Sequence, residues 1–392
     1  MTYRHRRINR RALLTYTAAA TIAGPAVVRA ADPVKIGLLA PLSGALAMVG
    51  QTNRNCLTLA LEEINAAGGM LGRKVEMVAE DSQMSTKVTV DKARKLITAD
   101  GVVALTGTVL PSEREAALQV AASAQRLVIH PNNDEGRCHA NLLTTGLANN
   151  QSTDAAIAWL AKNVGKRLYF ISSDVGTSRS VVEPGIKASL AKAGGTLVGA
   201  QYFPFGTRDF GPGLQKVKDE NPDAVVHLIG DDPITFVKQY RSFGLKPALM
   251  SPIAHESINA ACDGAAVGTL AVTNYFMSLD NAANRKFLDT YSARYADFTP
   301  RRVGGKVAML PHGQDTYAGA RILAEAARLA GSLELAKLKA ALPGVSLDLP
   351  TGPVKVAPGG THLLTPTYIG RAREDHTFDV LADLGAMPPT CG

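Results

Sequence analysis

INAAGGMLGRKVEMVAED (residues 64–81) ends one periodic apolar segment and opens another, and LAKAGGTLVGAQYFP (residues 190–204) repeats the pattern. In the first, Leu57, Ala60, Leu61 and Ile64 recur at the i, i+3, i+4, i+7 spacing of a helix face. Gly68 and Gly69 then stop the helix, because glycine adopts the left-handed C-terminal geometry without steric cost. KVEMVAED follows as an extended run. VKIGLLA (34–40) precedes the first unit and RLYFISS (167–173) the second, and both read as buried strands. The chain therefore writes a β-α-β unit twice, and each copy is expected to start its own parallel sheet.

Working outward, helices are expected over 87–99 and 112–124, with strands at VVALTG, RLVIH and NLLTTG. The second series has helices over 154–163, 181–193, 213–220 and 234–243, with strands at TLVGAQYF and AVVHLIG. Nearly continuous apolar strands are those of a sheet covered by helices on both faces. After residue 274 the texture changes. Helices over 284–295, 316–331 and 335–342 alternate with the short strands GPVKV, PTYIG and TFDVL. This tail is too small for a third domain and is expected to complete the two lobes.

The 392 residues suffice for two domains, and 46% apolar against 19% charged residues is a globular composition. The formal charge of +8 misleads, because six arginines and no acid lie in the first 30 residues, leaving the body at +2. A near-neutral body argues against nucleic-acid binding. Residues 1–30 have the order of an export signal: a basic start, a modest apolar stretch and small residues before a cleavage point near Ala30 or Ala31. Arg10-Arg11 also resembles a twin-arginine signal. Export to the periplasm, by either route, is the expectation. Cys56, Cys138, Cys262 and Cys391 then permit two disulfides in three connectivities, with Cys56 equally readable as a buried thiol on a helix. Their spacing fits no zinc pattern, and no metal or cofactor is expected.

Several stretches in series resemble the leucine-binding type of periplasmic solute receptor for ABC importers. KIGLLAPLSG is similar to that family's first strand and pocket loop, and EEINAAGGMLGRKVEMVAED to its first helix and second strand. FGTRDFGPGLQKVKDENPDAVV resembles its second-lobe Thr-x-Asp-Phe stretch. NYFMSLDNAANRKFLDTYSARY and LPTGPVKVAPGGTHLL resemble the urea- and amide-binding branch. The resemblance implies two Rossmann-like lobes with parallel sheets joined by a three-strand hinge, the type I arrangement. It places the crossovers near 147–151, 272–276 and 349–352. The first lobe would hold 32–148 and 276–349, the second 149–273 and 352–385. It also implies a monomer that closes over an amino acid, amide or urea-like solute and docks on a membrane permease, with no chemistry of its own.

In open α/β sheets ligands sit beyond the carboxyl ends of the strands, so the residues after each strand are the candidates. Ser43, after the first strand, can donate to a ligand oxygen or close a turn. The Val109, Leu110 and Ser112 turn opens a helix whose free N–H groups suit a carboxylate, with Ser112-x-x-Glu115 as a capping box. In the amide and urea branch that turn carries an aromatic residue and a serine, where this chain has Val109 and Pro111. His130 and Asn132 match family positions often held by tyrosine and threonine. Val175 replaces a pocket tyrosine beside Thr177, which makes the pocket roomier or more aliphatic. Asp232-Pro233 reads as a helix cap. Asp231, one residue earlier, lies near where relatives place an acid against a ligand ammonium, or else pairs with a lysine or arginine. One acid facing one helix start suits a zwitterion.

No dinucleotide, phosphate-loop, zincin or nucleophile-elbow motif is present in the sequence. A hydrolase built from Asp231, His130 and Ser43 is the remote alternative, and a ligand-sensing regulator or receptor module of the same fold is the nearer one. A leader with no following membrane span favours transport.

Overall fold

The strand VKIGLLA is β1 (Val34–Ala40), and all of it but Lys35 is buried. It lies between two parallel neighbours, so both of its faces need apolar cover. The structure, a computed structural model, describes residues 1–2, 32–299 and 301–391. The expected leader at 1–30 falls outside the described residues, apart from the first two. Met1–Asp32 forms a unit of its own, and Pro33–Gly392 forms the body.

The body's first lobe continues as α1 (Ala47–Ala66), β2 (Val75–Asp81), α2 (Thr86–Thr98), β3 (Ala104–Thr106), α3 (Pro111–Ser123), β4 (Leu127–His130) and β5 (Leu142–Thr144). Its parallel sheet has the order β2-β1-β3-β4-β5. The second lobe runs α4 (Ala155–Asn163), β6 (Arg167–Ser173), α5 (Glu183–Lys192), β7 (Thr196–Phe203), α6 (Gly211–Glu220), β8 (Ala224–Leu228), α7 (Pro233–Ser242), β9 (Ala248–Ser251), α8 (Glu256–Ala261) and β10 (Leu270–Thr273). Its order β7-β6-β8-β9-β10 repeats the first, so the duplication read from the two Ala-Gly-Gly stretches is a duplication of topology. Each stretch closes the helix between a lobe's first strand and the edge strand beside it. Gly69 has φ +77°, and a Cβ there would lie 2.0 Å from the Arg73 carbonyl oxygen. At Gly195 a Cβ would lie 2.7 Å from that of Lys166. The helix turns back too tightly for any other residue.

The chain then continues past residue 274. α9 (Ala282–Arg294), β11 (Arg302–Val303), β12 (Lys306–Val307), α10 (Pro311–Ala330), α11 (Leu335–Ala341), β13 (Ser346–Leu349), β14 (Gly352–Val356) and β15 (Leu363–Leu364) precede β16 (Pro366–Ala372) and β17 (Phe378–Ala386). α10 packs along α1, and Leu57, Leu61, Ile322 and Leu323 share one core with Leu349, Val354, Val356 and Leu363. Each such side chain contributes roughly 1.5–3 kcal/mol by leaving water. β16 and β17 extend the second sheet antiparallel, so that sheet is mixed rather than all parallel. The third crossover also differs from expectation. β14 and β15 bury their apolar side chains in the first lobe's core, so the chain passes to the second sheet at Thr365-Pro366, beyond 349–352. The Pro350-Thr351 turn nonetheless touches the hinge: Thr351 donates to the Asn274 carbonyl, and the Tyr368 hydroxyl donates to the Thr351 carbonyl at 3.0 Å.

Cys138 and Cys391 are joined in a disulfide, and Cys56 and Cys262 are buried free thiols. The bond ties the C-terminal tail, which leaves the second sheet, to the β4–β5 loop of the first lobe. Gln151 Nε2 donates to the Met387 carbonyl at 2.7 Å, and Asn150 Nδ2 to that of Pro388 at 2.9 Å. With the cysteines 253 positions apart, the unfolded chain loses much entropy to the cross-link. Cys391→Ser is expected to lower stability by about 2–5 kcal/mol in urea denaturation. Reductant should bring the parent protein down to the variant and leave the variant unmoved. Among the described residues no helix is long and apolar enough to cross a membrane.

Candidate ligand-binding site

The loops after β1, β3 and β4 face those after β6, β8 and β9 across a cavity of about 370 Å³. Its walls are mostly aliphatic. Leu46, Val49, Val109, Leu110 and Leu310 come from the first lobe, and Val175, Val182, Ile234, Ile253 and Ile258 from the second. Apolar walls of this kind suit an apolar ligand body.

Of the nine candidates, Val109, Leu110, Asn132, Val175, Thr177 and Asp231 line this cavity. Ser43, Ser112 and His130 do not, and each has a physical reason. The Ser43 hydroxyl donates to Asp81 Oδ2 at 2.6 Å on an exposed turn. Ser112 is exposed, because Leu110 rather than Ser112 caps α3 and Pro111 is its first residue. The box acid is Glu113, not Glu115. Its Oε2 accepts from Leu110 N at 3.1 Å and Val109 N at 3.4 Å, so a protein carboxylate takes up the two amides that lead into the helix. Glu115 instead pairs with Arg114 and Arg137. His130 is 1% exposed and lies 3.0 Å from Thr108 Oγ1 through Nδ1. Burial, reinforced by the nearby Arg114 charge, pushes its pKa down to about 3. Ser43, His130 and Asp231 thus have separate partners, and the hydrolase constellation does not assemble.

Asn132 lines the cavity but spends its amide on the backbone, with Nδ2 donating to the Val109 carbonyl at 2.8 Å. It fixes the α3 turn. Asn133 Nδ2 reaches across the cleft to the Pro252 carbonyl at 3.3 Å. Asp231 extends from the bend after β8. It accepts from Ser173 Oγ at 2.9 Å and from Gly206 N at 2.6 Å. It has no cationic partner among the described residues, so the expected alternative of a salt bridge is not realised. Asp232 caps α7 through Thr235 N at 3.1 Å, as expected.

The other acids on the wall are satisfied. Glu135 makes a two-point pair with the buried Arg114, at 2.9 and 3.0 Å. Burial opposes the charge of Asp134, yet His362 and the Thr144 hydroxyl hold its pKa below the ordinary carboxylate value. Arg301, between α9 and β11, also lines the cavity and forms no ion pair among the described residues. Sequence reasoning missed Arg301, together with His255 and His312, because no local signal marks them. β9, which precedes His255, is only four residues long, and Arg301 and His312 arrive on the returning tail.

Two lobes of like topology with a cavity between their strand ends define a class of hinged solute receptor. The chain belongs to the periplasmic binding protein family, whose model matches residues 33–377, and within it to the leucine-binding type. It is a solute-binding protein of the ABC-transporter kind, and the family is periplasmic. It is 26% identical over 366 residues to a Leu/Ile/Val-binding protein homolog 7 of Brucella suis biovar 1, with 86% of each chain covered. An ABC transporter substrate-binding protein from Sphaerobacter thermophilus superposes with TM-score 0.81 at 26% identity, covering 92% of this chain and 100% of that one. A solute-binding protein from R. palustris in complex with benzoate superposes with TM-score 0.79 at 23% identity, covering 92% and 99%.

Proposed function

We propose that the cavity captures an amino acid with an apolar side chain for delivery to an ABC permease. One observation carries the reading: Asp231 and Arg301 lie on the wall of a single, otherwise largely aliphatic cavity, and neither has a partner of opposite charge among the described residues. Closing the lobes over either charge alone is costly, because a desolvated ion needs a counter-ion. A zwitterion supplies both, its ammonium at Asp231 and its carboxylate at Arg301. This places the carboxylate at Arg301 rather than at the α3 turn, where Glu113 already holds the Val109 and Leu110 amides. The side chain then displaces water from the aliphatic walls, at about 25 cal/mol per Å² buried. The three crossovers serve as the hinge that closes the lobes.

A second reading is an aromatic carboxylate, favoured by the structural neighbour in complex with benzoate. It would use Arg301 and the apolar walls and leave Asp231 unpaired. A thermal-shift panel of leucine, isoleucine, valine, phenylalanine, benzoate, 4-hydroxybenzoate, urea and acetamide separates the two. The amino acids are expected to stabilise the protein, by about 2.7 kcal/mol at a hundredfold excess over Kd. Stabilisation by the benzoates and by none of the amino acids would overturn the proposal.

A further inference from the structure

His255 and His312 both line the cavity beside Arg301, and they come from opposite lobes. His255 stands at the start of α8, behind β9, and His312 is the second residue of α10. His255 is 7% exposed. The Nδ1 atoms of both rings are shut off from solvent with no hydrogen-bond partner among the described residues. A nitrogen with nothing to accept its proton is better left as the bare acceptor, which puts the ring proton on Nε2. Burial keeps both rings neutral, with the Arg301 charge adding to the effect on His255. α10 begins at the same corner, so its positive dipole end points there too. The corner thus gathers a guanidinium, two imidazole N–H groups and a helix start. All of these donate hydrogen bonds or favour negative charge.

We infer that His255, His312 and Arg301 form a carboxylate clamp split between the two lobes, which selects an acid over its amide. The inference deepens the proposed function and rests on its placement of the solute carboxylate at Arg301. It does not need the ammonium at Asp231. A carboxylate has acceptor sites for all three groups, and bridging His255 to His312 holds the lobes together. A primary amide offers one oxygen and turns an NH₂ toward donors, which leaves buried N–H groups unpaired. Sites built on buried polar groups discriminate in this way far more strongly than apolar ones.

The test is calorimetric affinity for two acid and amide pairs, L-leucine with L-leucinamide and benzoate with benzamide. It is run on the parent protein and on His255→Leu and His312→Leu. The parent is expected to prefer the acid by about 100-fold or more in a pair it binds, and each variant to lose at least about tenfold of that preference. His255→Gln and His312→Gln, which keep a donor, should recover part of it. Near-parent melting temperatures confirm that the variants fold. If only benzoate binds, with the histidine dependence intact, the amino-acid reading fails and the clamp stands. If leucine binds and its preference over leucinamide is untouched in both leucine variants, the clamp fails and the amino-acid reading stands. An amide that binds as tightly as its acid, or no measurable binding of either acid, overturns the clamp.

Discussion

Asp231→Asn is expected to weaken binding of an apolar amino acid by about 30- to 1,000-fold, the equivalent of roughly 2–4 kcal/mol. The substitution preserves shape and removes the charge. In the free protein little else should change, because Asp231 is held by the Ser173 hydroxyl and the Gly206 amide and, among the described residues, by no cation. One asparagine oxygen still accepts one of those bonds, so the loop after β8 keeps its course and the melting temperature should stay within a few degrees. The loss appears only when the lobes close, when a ligand ammonium leaves water for a site with no anion to meet it. A carboxylate without an amine makes the control. Its affinity should hold or improve, since an unpaired anion has been taken from its cavity. Titration calorimetry on both kinds of ligand reads the split. Equal affinity of the parent and the variant for the amino acid would remove Asp231 from the site.

The tandem lobes were legible because the information that specifies them is local. Helix periodicity before Gly68-Gly69 and before Gly194-Gly195, and continuous apolar strands on either side, need no tertiary contact to be seen. Asp231 and the cap at Asp232 were legible for the same reason, since a strand end followed by Asp-Pro fixes where the backbone bends. The clamp was not. Arg301 and His312 reach the cavity because residues 301–330 fold back onto the first lobe, and no spacing along the chain encodes that return. The α3 turn was misread for a different reason. Ser112-x-x-Glu115 and Leu110-x-x-Glu113 are offset by two residues, and Pro111 decides between them. Proline favours the first helical position, which leaves Leu110 as the cap and turns Glu113 back onto the amide nitrogens of Val109 and Leu110. The third crossover was placed early because GPVKV reads as a strand wherever it pairs. Only its packing against Leu349 and Leu363 assigns it to the first lobe.

The largest stability effect is expected from acid. Burial lowers the pKa of His130, His227 and His255 to about 3 and that of His312 to about 4. Between those values and the ordinary 6.5, the unfolded chain carries protons that the folded chain refuses. Each such ring therefore removes up to about 1.4 kcal/mol of stability per pH unit as pH falls through that window. Glu256 works in the opposite sense. Burial raises its pKa to about 7, so from there down to its ordinary 4.5 the folded state holds the extra proton and gains stability as pH falls. Asp315, raised by the same cause, acts likewise. The two sets partly cancel above pH 4.5. Below pH 4.5 Glu256 is protonated in both states, and below its ordinary 3.8 so is Asp315, while the three rings that titrate near 3 go on removing roughly 4 kcal/mol per pH unit between them. Four rings against two acids leave a net loss of roughly 3 kcal/mol per pH unit between pH 6.5 and 4.5, so against a total of about 5–15 kcal/mol the decline is already substantial by pH 4.5 and steepens beneath it. His227 isolates the effect, because it takes no part in the cavity. It packs against Phe236 with ring centroids 4.8 Å apart, and neither of its nitrogens has a partner among the described residues. In His227→Leu the apolar surroundings stay filled and the refused proton is gone. Urea denaturation should find the variant within about 1 kcal/mol of the parent at pH 7 and ahead by roughly 3 kcal/mol at pH 4. Parallel pH profiles for the two proteins would mean that this ring meets acid in a folded state able to solvate it.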